Sequence, residues 1–172
     1  DSFKPMVIGT FIMVATYSLF YIMTAFAQAY SRTPATLSEA GYPMGLGIPA
    51  NTFTGLLLMS AIVFAIFISI SGLYADKIGR RKWLIWTTVS ILIFALCMPL
   101  FLGNGTPASV FAFLVIGMAL MGMTFGPMAA LLPELFPTEV RYSGASLAYN
   151  IASIIGATIA AMISLKINAL YG

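Results

Sequence analysis

Histidine is missing from this chain, and cysteine occurs once, at Cys97. No disulfide can form within the chain, and multi-His/Cys metal sites or a Ser-His-Asp triad lack their parts. Charge is scarce as well. Only 8% of the 172 residues are Asp, Glu, Lys or Arg, against roughly 25% in a soluble domain. Apolar residues make up 60%, more than a water-facing surface can carry, so the solvent that suits the chain is a lipid bilayer. The net charge of +3 comes from eight basic residues scattered between apolar runs. That is not a nucleic-acid footprint, and no nucleic-acid partner is expected. Cys97, inside an apolar run, reads as a small buried hydrophobe.

What is present is a series of charge-free windows: 5–31, 40–75, 83–133 and 142–165. About 20 helical residues cross the hydrocarbon of a bilayer. Three windows fit one crossing each, and the third fits two, interrupted by the turn-forming string LGNGTPAS at 102–109. The fold class expected is therefore an all-α membrane protein with five transmembrane helices, at about 6–28, 53–75, 83–102, 109–131 and 143–165. The 29–52 stretch, rich in Gly, Pro, Ser and Thr, reads as an irregular connection. No signal-peptide pattern is present, the first residue is not methionine, and the chain reads as a piece of something longer.

Lys4, Lys77, Arg80, Arg81, Lys82 and Arg141 fall on one side of this layout, and Arg32 and Lys166 on the other. Positive residues stay cytoplasmic, which puts the N-terminus inside and the C-terminus outside. Five charges crowd into 76–82, and burying them in lipid would cost about 15 kcal/mol, so this stretch is a tight surface turn. Gly72 and Gly79 suit close backbone geometry. Asp76 suits a helix N-terminus, and Arg80 and Arg81 suit carboxylates.

The string GLYADKIGRR at 72–81 resembles the G-x-L-A-D-R-x-G-R-R loop of the major facilitator superfamily, with Gly72, Ala75, Asp76, Gly79, Arg80 and Arg81 in place. Lys77 is a like-charge substitute, and Tyr74 stands where Leu is usual. LLPELFPTEVRYSGAS at 131–146 is similar to a segment of metabolite:proton symporters, with Glu134, Pro137, Arg141, Tyr142, Gly144 and Ala145 matching. Strings 19–31 and 120–137 look like helices seven and ten of that family. The resemblance implies a twelve-helix fold of two halves, of which 1–172 is a partial C-terminal transmembrane domain, helices seven to eleven. It implies a bacterial inner-membrane transporter working by alternating access. The partners implied are the lipid bilayer, a small polar solute (organic acid or zwitterion), a proton and the missing N-terminal half. The proton gradient is the energy source, and no cofactor is expected.

No Asp, Glu, Lys or Arg lies inside an expected span, so no proton carrier is visible. On the first helix, Thr10, Tyr17, Tyr21, Thr24 and Gln28 share one face. They form either a satisfied helix contact or a cavity wall, and the resemblance favours the wall. On the fourth, Gly122 and Gly126 make a close-approach pair, Pro127 should kink the helix, and Thr124 joins the cavity candidates. Ala148, Ala152, Gly156 and Ala160 make a small-residue stripe on the last helix. Ser146, Asn150 and Ser153 form a polar patch beside it, with Asn150 either a contact donor or a pocket residue.

Two charged loops on one side, with opposite signs available, suggest a clasp that acts as a conformational switch. Gly72, Asp76, Gly79, Arg80 and Arg81 supply one half, Glu134 and Arg141 the other. Arg80 is expected to reach Glu134, and Asp76 to sit at the start of the last helix beside Arg141. The alternatives are a five-helix structural or channel-forming protein and a membrane enzyme. The enzyme would need reactive groups that this chain does not offer.

Overall fold

Helices fill most of the charge-free windows and carry the clustered charges at their ends. In a computed structural model, residues 3–32, 45–102 and 106–171 are described. The order is α1 (Phe3–Tyr21), a π turn (Ile22–Phe26), α2 (Ala27–Arg32), α3 (Ala50–Ile78), α4 (Arg80–Leu102), α5 (Pro107–Glu134), a 3-10 turn (Thr138–Val140) and α6 (Arg141–Tyr171). No strand occurs among the described residues. Four helical stretches there are long and apolar enough to cross a membrane: Ala50–Ile78, Arg80–Leu102, Pro107–Glu134 and Thr138–Met162.

The crossing expected at 6–28 is a longer rod, Phe3–Arg32, divided by the π turn. The ladder widens where the Thr24 hydroxyl takes the Phe20 carbonyl at 2.7 Å, and the Ala27 amide closes back onto the Ile22 carbonyl. Such turns are often found at functional positions of helices. The connection expected over 29–52 is shorter than its composition suggests, because 29–32 belong to α2 and 50–52 to α3. Residues 45–49 return to the end of α2, with the Leu46 and Ile48 amides donating to the Tyr30 and Ser31 carbonyls. Residues 33–44 of that stretch, and 103–105 of the α4–α5 turn, lie outside the described residues.

Only Gly79 separates α3 from α4, and its φ of +100° is a backbone conformation that L side chains rarely adopt. At the other end of α4 the Ser109 hydroxyl donates to the Phe101 carbonyl. Thr106 caps α5 by accepting from the Ser109 amide at 3.2 Å, with Pro107 in the first turn.

α5 is the central helix. It packs along α3, α4 and, less extensively, α1, while α1 also packs along α6. The close lines are made by glycine. A methyl group on Gly126 would collide with the Ser71 hydroxyl and the Ile68 carbonyl of α3, and one on Gly122 would sit 2.8 Å from the Phe64 carbonyl. On α6, a methyl on Gly156 would lie 2.6 Å from Tyr17 Cβ. Met23, Phe53, Phe113, Leu114 and Met118 fill one core, and Met13, Met128, Leu132, Ala148 and Ala152 another. The outer faces of α3 and α4 expose Leu58, Ile62, Leu92 and Leu96, as helices in lipid do.

Candidate functional site

Two groups of side chains stand out, a charge cluster at one end and a hydroxyl-bearing aromatic wall along the helices. The cluster forms because Gly79 turns the chain directly from α3 into α4, leaving Arg80 one helical turn beyond Asp76. Arg80 Nε donates to Asp76 Oδ1 at 2.8 Å. Its Nη1 donates to both oxygens of Glu134, at 2.8 and 2.7 Å. The Glu134 and Asp76 hydrogen bonds hold the guanidinium above the usual arginine range. These bonds put the α3–α4 turn and the end of α5 on one side of the bundle.

The Arg80–Glu134 contact is thus present, but Asp76 is paired with Arg80 rather than with Arg141. The physical reason is local: a partner four residues away on a continuing turn needs no folding of distant chain. Arg141 leaves the 3-10 turn with its Nε buried and without a hydrogen-bond partner among the described residues. Arg81, next to Arg80, is exposed and takes part in neither ion pair. Gly72 lies within α3, with open space where its side chain would be, and its amide nitrogen approaches Gly126.

The aromatic wall runs between α1, α5 and α6. Tyr17 meets Phe125 edge-on at 6.4 Å, and Phe125 lies 6.5 Å from Tyr149. One turn further, Tyr21 Oη and Ser153 Oγ are 3.2 Å apart. Tyr17 and Tyr21 on α1 therefore face Tyr149 and Ser153 on α6, two i,i+4 pairs with Phe125 between them. Thr24 is in the π turn, its hydroxyl spent on Phe20. In one of its two amide orientations Gln28 can donate to the Thr24 carbonyl (3.3 Å) and accept from Arg32 (3.2 Å). Asn150 is exposed and donates to the Ser146 carbonyl at 2.8 Å.

Thr124 is not part of this wall. It is buried, donates to the Met121 carbonyl at 2.8 Å, and lines a separate cleft of about 610 Å³ between α1, α4 and α5 with Thr16, Arg81, Leu84 and Met128. Phe125 and Tyr149, the two aromatics that complete the wall, each stand one position from a sequence candidate. Tyr149 was findable, since it sits four residues before Ser153 as Tyr17 does before Tyr21. No group of three or more His, Cys, Asp or Glu able to hold a metal occurs among the described residues.

The model of the Major Facilitator Superfamily matches residues 2–163. A Haemophilus influenzae protein, provisionally named a metabolite transport protein, is 87% identical over 98% of this chain and 39% of its own length. The Escherichia coli inner membrane metabolite transport protein YhjE is 52% identical over 96% of the chain and 36% of its own length. A proline/betaine transporter of Salmonella typhimurium is 29% identical over 84% of the chain and 27% of its own length. The chain thus spans about two fifths of the length of the first of these relatives. No solved structure matches it.

Proposed function

The chain belongs to the major facilitator superfamily, and from that premise we propose that it is part of a secondary transporter that carries a small zwitterionic metabolite across a bacterial inner membrane. The observation that carries this reading is the wall of Tyr17, Phe125, Tyr149, Tyr21 and Ser153, which offers ring faces and hydroxyls with no carboxylate or cationic side chain among them. Aromatic faces attract alkylated ammonium groups, and hydroxyls orient them. An organic acid has no ammonium group for these ring faces to attract. The names of the more distant relatives, which include proline and betaine, support the same class.

In this proposal the chain is helices seven to eleven of twelve, with the Arg80 cluster facing the cytoplasm. The other half supplies the opposing wall, the carboxylate's partner and the proton-carrying group. Transport proceeds by alternating access, the halves rocking about a midplane site. The cluster biases one state by whatever contact energy it loses in the other.

The test is uptake by the full-length protein in proteoliposomes. Labelled glycine betaine or proline should accumulate saturably when a proton gradient is imposed, and a protonophore should abolish the accumulation. Uptake of a dicarboxylate with no zwitterion transported would overturn the substrate class. Uptake indifferent to the gradient would overturn the coupling.

A further inference from the structure

Pro127 lies inside α5. It has no N–H, so the carbonyl four residues earlier, that of Met123, loses its helical donor. A carbonyl left without a partner in an apolar interior is costly. The indole Nε1–H of Trp83, reaching across from α4, donates to the Met123 carbonyl at 2.9 Å. One residue before it, the Gly122 carbonyl accepts from the buried Ser71 hydroxyl of α3, also at 2.9 Å. The Gly122 and Met123 carbonyls, in the turn before Pro127, are therefore held by side-chain donors from two neighbouring helices.

Trp83 is itself anchored to the charged end. Its ring stacks on Tyr74 of α3 at 6.2 Å and 21°, and the Lys77 ammonium lies 5.9 Å from the centre of the Tyr74 ring. Three residues before Trp83, Arg80 holds Glu134 at the end of α5. The first turn of α4 thus grips α5 twice, at its end through Arg80 and at the Met123 carbonyl through Trp83. Between those two grips on α5 lies Phe125, the ring that joins Tyr17 to Tyr149.

We infer that Trp83 is a positioning residue: by taking the carbonyl that Pro127 releases, it fixes the turn of α5 before the proline and with it the place of Phe125 in the aromatic wall. The consequence for transport rests on the function proposed above, whereas the hydrogen bond and its dependence on Pro127 do not.

A double-mutant cycle in the full-length protein tests it. Trp83→Phe keeps a stacked ring and removes the donor. With Pro127 present, this change should shift the unfolding equilibrium roughly tenfold. With Pro127→Ala, residue 127 again carries an N–H for Met123, and the same change should shift it less than about twofold. Equal losses in both backgrounds overturn the inference, because Trp83 would then act by packing alone. Should Pro127→Ala not fold, exchange of the indole N–H in ¹⁵N-tryptophan-labelled protein decides the matter. Trp83 should exchange roughly tenfold more slowly than the exposed Trp86, and equal rates overturn the hydrogen bond. In uptake, Trp83→Phe should lower Vmax severalfold with KM little changed, and Pro127→Ala should relieve the loss. Coupled stabilities with unchanged uptake overturn the positioning role. A wild-type protein that carries no solute defeats the functional reading instead, and the stability cycle still stands as the test of the bond.

Discussion

Arg80 and Glu134, 54 positions apart in sequence, meet through one guanidinium nitrogen and both carboxylate oxygens at 2.8 and 2.7 Å. Arg80 Nε holds Asp76 at the same time. One arginine therefore joins the α3–α4 turn to the end of α5. Glu134 and Asp76 are more than half exposed, so water screens the cluster and its worth to bulk stability is small. Its value lies in geometry, since the contact exists only when α4 and α5 keep this arrangement.

Arg80→Lys retains the charge but not the fork that serves two acids. Together with Glu134→Gln, it should lower uptake by the full-length protein by roughly fivefold or more, while melting temperature and membrane insertion hardly change. The Arg80 pKa is raised, so its contribution is complete at every pH below the ordinary arginine value and is lost only far into alkali. No loss of the cluster through arginine deprotonation is expected between pH 6 and 9, about the usual assay range. Full uptake by both variants would reduce the cluster to a topology anchor.

The two motif glycines should behave differently. Gly79→Ala meets no neighbour but must hold φ near +100° with ψ near 119°, a sparsely populated conformation that costs about 1–3 kcal/mol. Gly72→Ala is helical and enters open space, so it should be neutral or stabilising by up to about 1 kcal/mol. Thermal melts of the two variants check this, and equal losses would contradict it.

Gly126→Ala should separate α3 from α5, because its methyl collides with the Ser71 hydroxyl and the Ile68 carbonyl. Overpacking of this kind costs about 1–3 kcal/mol. Ser71→Ala in the same protein frees space but leaves the Ile68 carbonyl in place, so it should restore only part of the loss.

Much of the fold was legible because lipid imposes a simple rule, and helices occupy most of each charge-free window. The turn expected over 76–82 shrinks to Gly79 alone, because its positive φ reverses the chain in one residue and leaves Asp76 and Lys77 in α3 and Arg80, Arg81 and Lys82 in α4. The Arg80–Glu134 contact was legible from opposite charges on one side. Asp76 was assigned the wrong partner because charge counting ignores how closely Gly79 brings Arg80 back upon it. Thr124 does line a cleft, but one between α1, α4 and α5 that is separate from the aromatic wall. The π turn left no periodic trace, since Ile22–Phe26 is as apolar as the helix around it. Trp83 was invisible because its role depends on a carbonyl 40 positions away that only Pro127 leaves free.

The central claim is that the face carrying Tyr21 and Ser153 lines the path of a solute. Single cysteines at positions 21 and 153 in a Cys97→Ala version of the full-length protein test it most directly, with Leu96, 81% exposed on the outer face of α4, replaced by cysteine as the lipid-facing control. A membrane-impermeant, polar thiol reagent should label positions 21 and 153 and not 96, and saturating glycine betaine should slow that labelling severalfold. Labelling at 96 with none at 21 and 153, or labelling there that no zwitterion slows, would contradict the account.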